Sequence, residues 1–141
     1  MMATAESCTG GLIAAACTSV AGSSDWFERG IVTYSNEAKT ELAGVAPALI
    51  AQHGAVNAEV ACAMADGALA RARVQAAVAV TGIAGPGGAT PGKPVGTVWV
   101  AVAVLGQAAV PTLLQLAGDR AQIRRRTVLD ALRLLRQRIQ P

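Results

Sequence analysis

The feature that most constrains this chain is the run AAVAVT at residues 76–81. Six apolar or small residues in a row, rich in β-branched side chains, are too short for an independent helix. They fit a strand buried on both faces, and a strand of that kind sits in a sheet that is covered on both sides. The surrounding pattern supplies the covering layers. Residues 9–19 are rich in small residues and read as a helix, closed by Ala21-Gly22-Ser23-Ser24. Residues 30–34 (GIVTY) read as a strand. Helices are expected over 36–42, ended by Gly44, and over 47–53, with Pro47 in the first turn. Asn57 is suited to cap a helix that runs to about residue 73. Residues 95–104 and 111–116 read as strands joined near Gly106, and Asp119-x-x-Gln122 has the form of a capping box opening the last helix. The expected fold is an α/β protein, a three-layer α/β/α sandwich with a mixed, mostly parallel sheet.

At 141 residues the chain reads as one domain, residues 1–141, with no internal repeat. No apolar run is long enough to span a bilayer, and the first residues lack the basic and apolar regions of a secretory signal. Cys8, Cys17 and Cys62 form no CxxC pair, so neither a disulfide framework nor a zinc site is indicated. A cytoplasmic protein with no metal and no membrane partner is expected. Charge is uneven: residues 1–118 hold five basic and seven acidic groups, residues 119–141 seven Arg and two Asp. The apolar spacing of Val128, Ala131, Leu132, Leu135 and Ile139 makes this segment an amphipathic helix. Its arginines then lie on a solvated face, and aromatics are scarce, so no nucleic-acid partner is expected.

Two segments carry possible chemistry. In residues 3–11 (ATAESCTGG) a short apolar run meets an acid, Ser7 and two glycines before a helical pattern. Such a turn can hold a serine nucleophile beside amide donors at a helix N-terminus; a simple cap or turn is the plain alternative. Residues 82–94 contain five Gly and three Pro and follow the buried strand, where α/β proteins bind ligands; a flexible surface turn is the alternative. Residues 87–93 match GxxxxGK, but Pro94 stands where a P-loop needs Ser or Thr, which excludes that reading. Lys39, one of two lysines, is either an exposed helix residue or, if buried, a base of lowered pKa. His53 is the one histidine, better placed as a helix-end residue than as a triad member.

Taken together, residues 4–11, Gly22-Ser23-Ser24 with Trp26-Phe27, residues 30–39 (GIVTYSNEAK), His53-Gly54-Ala55-Val56, residues 81–86 (TGIAGP), residues 93–98 (KPVGTV) and Gly118-Asp119-Arg120 resemble the CinA C-terminal domain family. Its stand-alone members include nicotinamide mononucleotide (NMN) amidohydrolases. The resemblance implies hydrolysis of the NMN carboxamide to nicotinate mononucleotide and ammonia, without a cofactor. It implies Ser7 as nucleophile, with Lys39 and Tyr34 from the second block; Lys39 is expected to act as the base, taking the proton directly or through Tyr34. Amides near Thr9, Gly10 and Gly11 are expected to hold the oxyanion. Thr81, Gly82, Ala84 and Gly85, together with Arg120 or Arg124, are expected to bind the nucleotide and its phosphate. The family's usual helix ahead of the first strand has no counterpart here. The domain therefore reads as N-terminally shortened, its first strand is expected to leave an apolar face open, and a homo-oligomer is expected to cover it. A non-catalytic nucleotide-binding module of the same family is the alternative function. An adaptor using the arginine-rich tail is a third.

Overall fold

The computed structural model describes residues 1–140. Strand β1 (Met2–Glu6) leads through a turn to α1 (Leu12–Thr18), a single 3-10 turn (Ser23–Asp25) and β2 (Phe27–Val32). Then come α2 (Asn36–Ala43), α3 (Pro47–His53), α4 (Ala58–Ala72), β3 (Ala76–Gly82), β4 (Thr97–Val104), β5 (Val110–Gln115) and α5 (Arg120–Ile139). The five strands form one sheet in the order β2-β1-β3-β4-β5. β1 is parallel to both of its neighbours, and β4 pairs antiparallel with β3 and with β5. Four strands therefore run one way and β4 runs against them, giving the expected mixed sheet.

Side-chain size along the central strands decides what packs on each face. In β3, Val78 and Val80 join α1 and α5 in one core with Val98, Val100 and Val102 of β4. Ala77 and Ala79, with Ala101 and Ala103, face the other way onto α2, α3 and α4. The apolar run that opened the sequence reading thus alternates large and small. The alanine face lets the small-residue face of α4 (Ala61, Ala65, Ala68) come close. Gly67 extends that approach to a neighbouring helix: a Cβ there would fall 1.6 Å from the Ala43 carbonyl oxygen at the end of α2. Gly30 does the same on the opposite face, where a Cβ would lie 2.7 Å from Ala14 of α1.

Three differences from the sequence reading have identifiable physical causes. α1 starts at Leu12, not residue 9, because Gly10 and Gly11 take positive φ (58° and 106°) and close a turn first. β2 lies earlier than residues 30–34 because pairing with β1 sets its position, with Glu6 opposite Val32. β1 does not present an open apolar face: all five of its residues are buried, between β2 and β3 and under helices of both layers. Caps read from the sequence are present. Asn57 Oδ1 accepts the Val60 N–H, and Asp119 and Gln122 form a reciprocal capping box.

Candidate active site

Strand β1 runs on from its last residue into Ser7, whose N–H still donates to the Val80 carbonyl of β3 at 3.0 Å. From there the chain goes by α1 to β2 on one side of β1, while β3 flanks the other. Ser7 therefore stands at the carboxyl ends of the strands, at the point where strand order reverses, the position at which open α/β sheets bind ligands. A cavity of about 270 Å³ opens there, lined by Ser7, Cys8, Tyr34, Asn36, Lys39, Ala55, Val56, Thr81, Gly82, Ala84 and Arg120.

Lys39 reaches this point from the middle of α2. The Ser35 hydroxyl accepts the Ala38 N–H and starts the helix, so that Lys39 faces inward. It is 1% exposed, the largest fully buried side chain of the protein among the described residues. Its Nζ lies 3.1 Å from Ser7 Oγ, 2.8 Å from the Thr33 carbonyl and 3.4 Å from the Tyr34 carbonyl. Among the described residues the side-chain ion pairs join Arg29 to Glu28, and Arg126 and Arg133 to Asp130; none includes Lys39. Burial without a carboxylate penalises the ammonium and lowers its pKa from the usual lysine value, against a smaller upward pull from Cys8.

The neighbours also accommodate the neutral amine that burial favours, with the Ser7 hydroxyl turned to donate. The two carbonyls can only accept, so they take the two hydrogens of an –NH₂ group, and the lone pair is left for the Ser7 hydroxyl. That is the arrangement in which a lysine removes a proton from a serine. The neighbouring thiol is a poor competitor. Burial pushes Cys8 up to about 11, so it stays protonated at neutral pH.

Glu6, which the sequence reading passed over, organises the turn. Its carboxylate is 1% exposed and accepts from Thr9 Oγ1 (2.6 Å), Ile13 N–H (2.8 Å), Ala14 N–H (2.9 Å) and Thr4 Oγ1 (3.4 Å). The first-turn amides of α1 are therefore satisfied from within the protein and are not presented to a ligand. Gly10 N–H is occupied as well, donating to the Ser7 carbonyl at 3.0 Å. Among the described residues, the amides of Cys8, Thr9 and Gly11 have no acceptor. Thr9, Gly10 and Gly11 lie outside the cavity lining, whereas Cys8 is part of it.

The remaining expected positions divide. Thr81, Gly82 and Ala84 line the cavity, and Thr81 Oγ1 donates to the Ala55 carbonyl at 2.8 Å. Gly85 lies behind them; its carbonyl accepts from Arg120 at 2.8 Å. Arg120, at the start of α5, also donates to the Tyr34 hydroxyl at 3.3 Å across the cavity mouth. Tyr34 is 62% exposed, and it is its backbone carbonyl, not its hydroxyl, that meets Lys39. Arg124 does not face the cavity; it binds the Cys8 and Thr9 carbonyls. Asn36, Ala55 and Val56 are lining residues that the sequence did not single out. The His53-Gly54-Ala55-Val56 block was the available signal for the last two. Among the described residues no group of three or more His, Cys, Asp or Glu is placed to hold a metal ion, and no helix is long and apolar enough to cross a membrane.

Fold and site together define a three-layer α/β/α protein with a buried serine–lysine pair at its strand ends. The family model of the CinA C-terminal domain matches residues 1–139, and the chain belongs to that family. It is 52% identical over 134 residues to the nicotinamide-nucleotide amidohydrolase PncC of Escherichia coli K12, an alignment covering 95% of this chain and 81% of that protein. It is 56% identical over 136 residues to a CinA-like protein of Mycolicibacterium vanbaalenii. That alignment covers 96% of this chain but 32% of the relative, so the chain spans about a third of the length of such CinA-like proteins. Among solved structures, the competence/damage inducible protein CihA from Agrobacterium tumefaciens superposes with a TM-score of 0.96 at 47% identity, covering 99% of this chain and 86% of that one.

Proposed function

We propose that this protein is an NMN deamidase, hydrolysing the nicotinamide carboxamide to nicotinate mononucleotide and ammonia. The observation that carries this reading is the 3.1 Å approach of a buried, carboxylate-free Lys39 amine to Ser7 Oγ in the floor of a cavity. The 52% identity to the E. coli amidohydrolase supports the choice of amide and nucleotide.

In the proposed reaction Lys39 takes the hydroxyl proton as Ser7 Oγ bonds to the carboxamide carbon. The free Cys8 amide, next to the nucleophile and in the lining, donates to the oxyanion; this replaces the expected Gly10, whose N–H is already used. As the carbon–nitrogen bond breaks, Lys39 returns its proton to the departing ammonia. Water then attacks the acyl-enzyme, again deprotonated by Lys39, and the Ser7 hydroxyl is restored as the acid leaves.

The cavity lining contains the Arg120 guanidinium and no carboxylate, which suits an anionic substrate. Arg120, at the mouth and exposed, is assigned to the 5′-phosphate, beside the Tyr34 hydroxyl to which it donates. Ammonia release from NMN by the purified protein, measured beside Ser7→Ala, tests the reading directly.

A further inference from the structure

Three and four residues after Ser7 stand Gly10 and Gly11, both with positive φ, a stretch of backbone with wide conformational freedom in the same turn as a group that must be placed to within about an ångström. Something has to hold it. The acidic half of the restraint is Glu6, gripping donors on α1 and the Thr9 hydroxyl. The other half comes from the far end of the chain. Arg124, one turn into α5 and half-buried, donates from Nε to the Cys8 carbonyl at 3.1 Å and from a terminal nitrogen to the Thr9 carbonyl at 3.2 Å. Thr9 is thus held at both ends, by a carboxylate on its side chain and a guanidinium on its backbone.

Resting on the amidohydrolase reading, we propose that Arg124 is a positioning residue of the reaction, locking the nucleophile turn so that Ser7 and its neighbouring amides keep their geometry. The physical argument is the rigid fork of the guanidinium. Its two N–H groups fix two successive carbonyls, and so the planes of two successive peptides. In a trans peptide the N–H points opposite to the C=O, so holding the Cys8 carbonyl on α5 turns the Thr9 N–H away from α5. At Gly10 the positive φ of 58° calls for glycine, while a Cβ there would stand 3.5 Å from the guanidinium, an ordinary contact. A lysine, a compact ammonium on a flexible stem, lacks that pre-set fork and holds two planes less firmly.

The test uses Arg124→Ala and Arg124→Lys in the full chain, with Arg125→Ala, an exposed neighbour, as control. Three readouts are taken: kcat and KM for NMN, the same for phosphate-free nicotinamide riboside, and the rate of Ser7 labelling by a fluorophosphonate. In labelling, the Ser7 oxygen–phosphorus bond forms as fluoride leaves and Lys39 takes the proton. Arg124→Ala is expected to lower kcat about a hundredfold for both substrates with KM changed less than about twofold, and to slow labelling by a similar factor. Arg124→Lys is expected to recover part of each loss, and it carries the test if the alanine variant fails to fold. An unchanged labelling rate with a raised KM for NMN alone would instead make Arg124 a phosphate contact and overturn the proposal, as would unchanged kinetics throughout. If wild type labels but does not deamidate NMN, the substrate reading fails while the labelling rates still decide the role of Arg124.

Discussion

The Lys39 Nζ and Ser7 Oγ atoms are 3.1 Å apart, though 32 residues separate them in the chain, and both side chains are more than nine-tenths buried. A lysine in such a place is costly to the fold. Its three near neighbours are two carbonyls and one hydroxyl, with no carboxylate to offset the burial of a charge, so burial lowers its pKa from the ordinary lysine value. The expectations below follow from that arrangement.

Lys39→Met is expected to lower turnover by at least about a hundredfold, the usual contribution of a general base. The variant should still fold, because the methionine stem fills most of the same space. Its effect is read from NMN turnover together with circular dichroism.

The pH dependence follows from the sign of the shift. The base must be unprotonated, so kcat/KM rises with pH through a group whose pKa lies below the ordinary lysine value of 10.5. Stability is linked to the same group. Between the lowered pKa and 10.5 the unfolded chain holds a proton that the folded chain does not, so folding becomes more favourable as pH rises through that window. Below it both states are protonated and the burial penalty is present in full. The melting temperature of wild type relative to Lys39→Met should therefore climb with pH in that window and be flat beneath it. The two carbonyls left without a partner in the variant add an offset that does not depend on pH.

Tyr34 and Arg120 separate binding from chemistry. The Tyr34 hydroxyl meets Arg120 and not the dyad, so Tyr34→Phe is expected to change kcat less than about tenfold, well short of a lost general base. Arg120→Ala is expected to raise KM for NMN by about tenfold to a hundredfold, the range for losing a charge-assisted hydrogen bond. It should leave phosphate-free nicotinamide riboside almost unaffected. Steady-state kinetics on the two substrates reads both effects.

Gly67→Ala tests the packing account. The added Cβ would fall 1.6 Å from the Ala43 carbonyl oxygen, so α4 and α2 must move apart. A loss of at least about 2 kcal/mol is expected, typical of overpacking. It appears as a lower denaturation midpoint with an unchanged denaturant slope.

The sequence exposed the parts of this molecule that are local. The cap at Asn57, the box at Asp119 and Gln122, and the helix from Pro47 to His53 depend on a few adjacent residues, and the structure has them where the pattern put them. The position of β2 was set by pairing with β1, which no local pattern contains. The two glycines after Thr9 were visible, but their effect was misjudged: they delay α1 to Leu12. At the site, Ser7 and Lys39 were named from the family blocks, and the fold brings them together. Glu6 binds residues no more than eight away and its role was open to a local reading, whereas Arg124 was not legible as a restraint on this turn, because its pairings there span 115 and 116 residues. The side-chain direction of Tyr34 was equally out of reach. Its block placed the residue, while contact with α5 set where its hydroxyl went.

The most direct test of the account is ammonia release from NMN by the wild-type protein and by Ser7→Ala, with both shown to be folded. The account predicts stoichiometric ammonia and nicotinate mononucleotide from wild type and none above background from the variant. Equal release from both would remove Ser7 as nucleophile. No release from folded wild type that still binds NMN would contradict the enzyme reading and leave a nucleotide-binding module in its place.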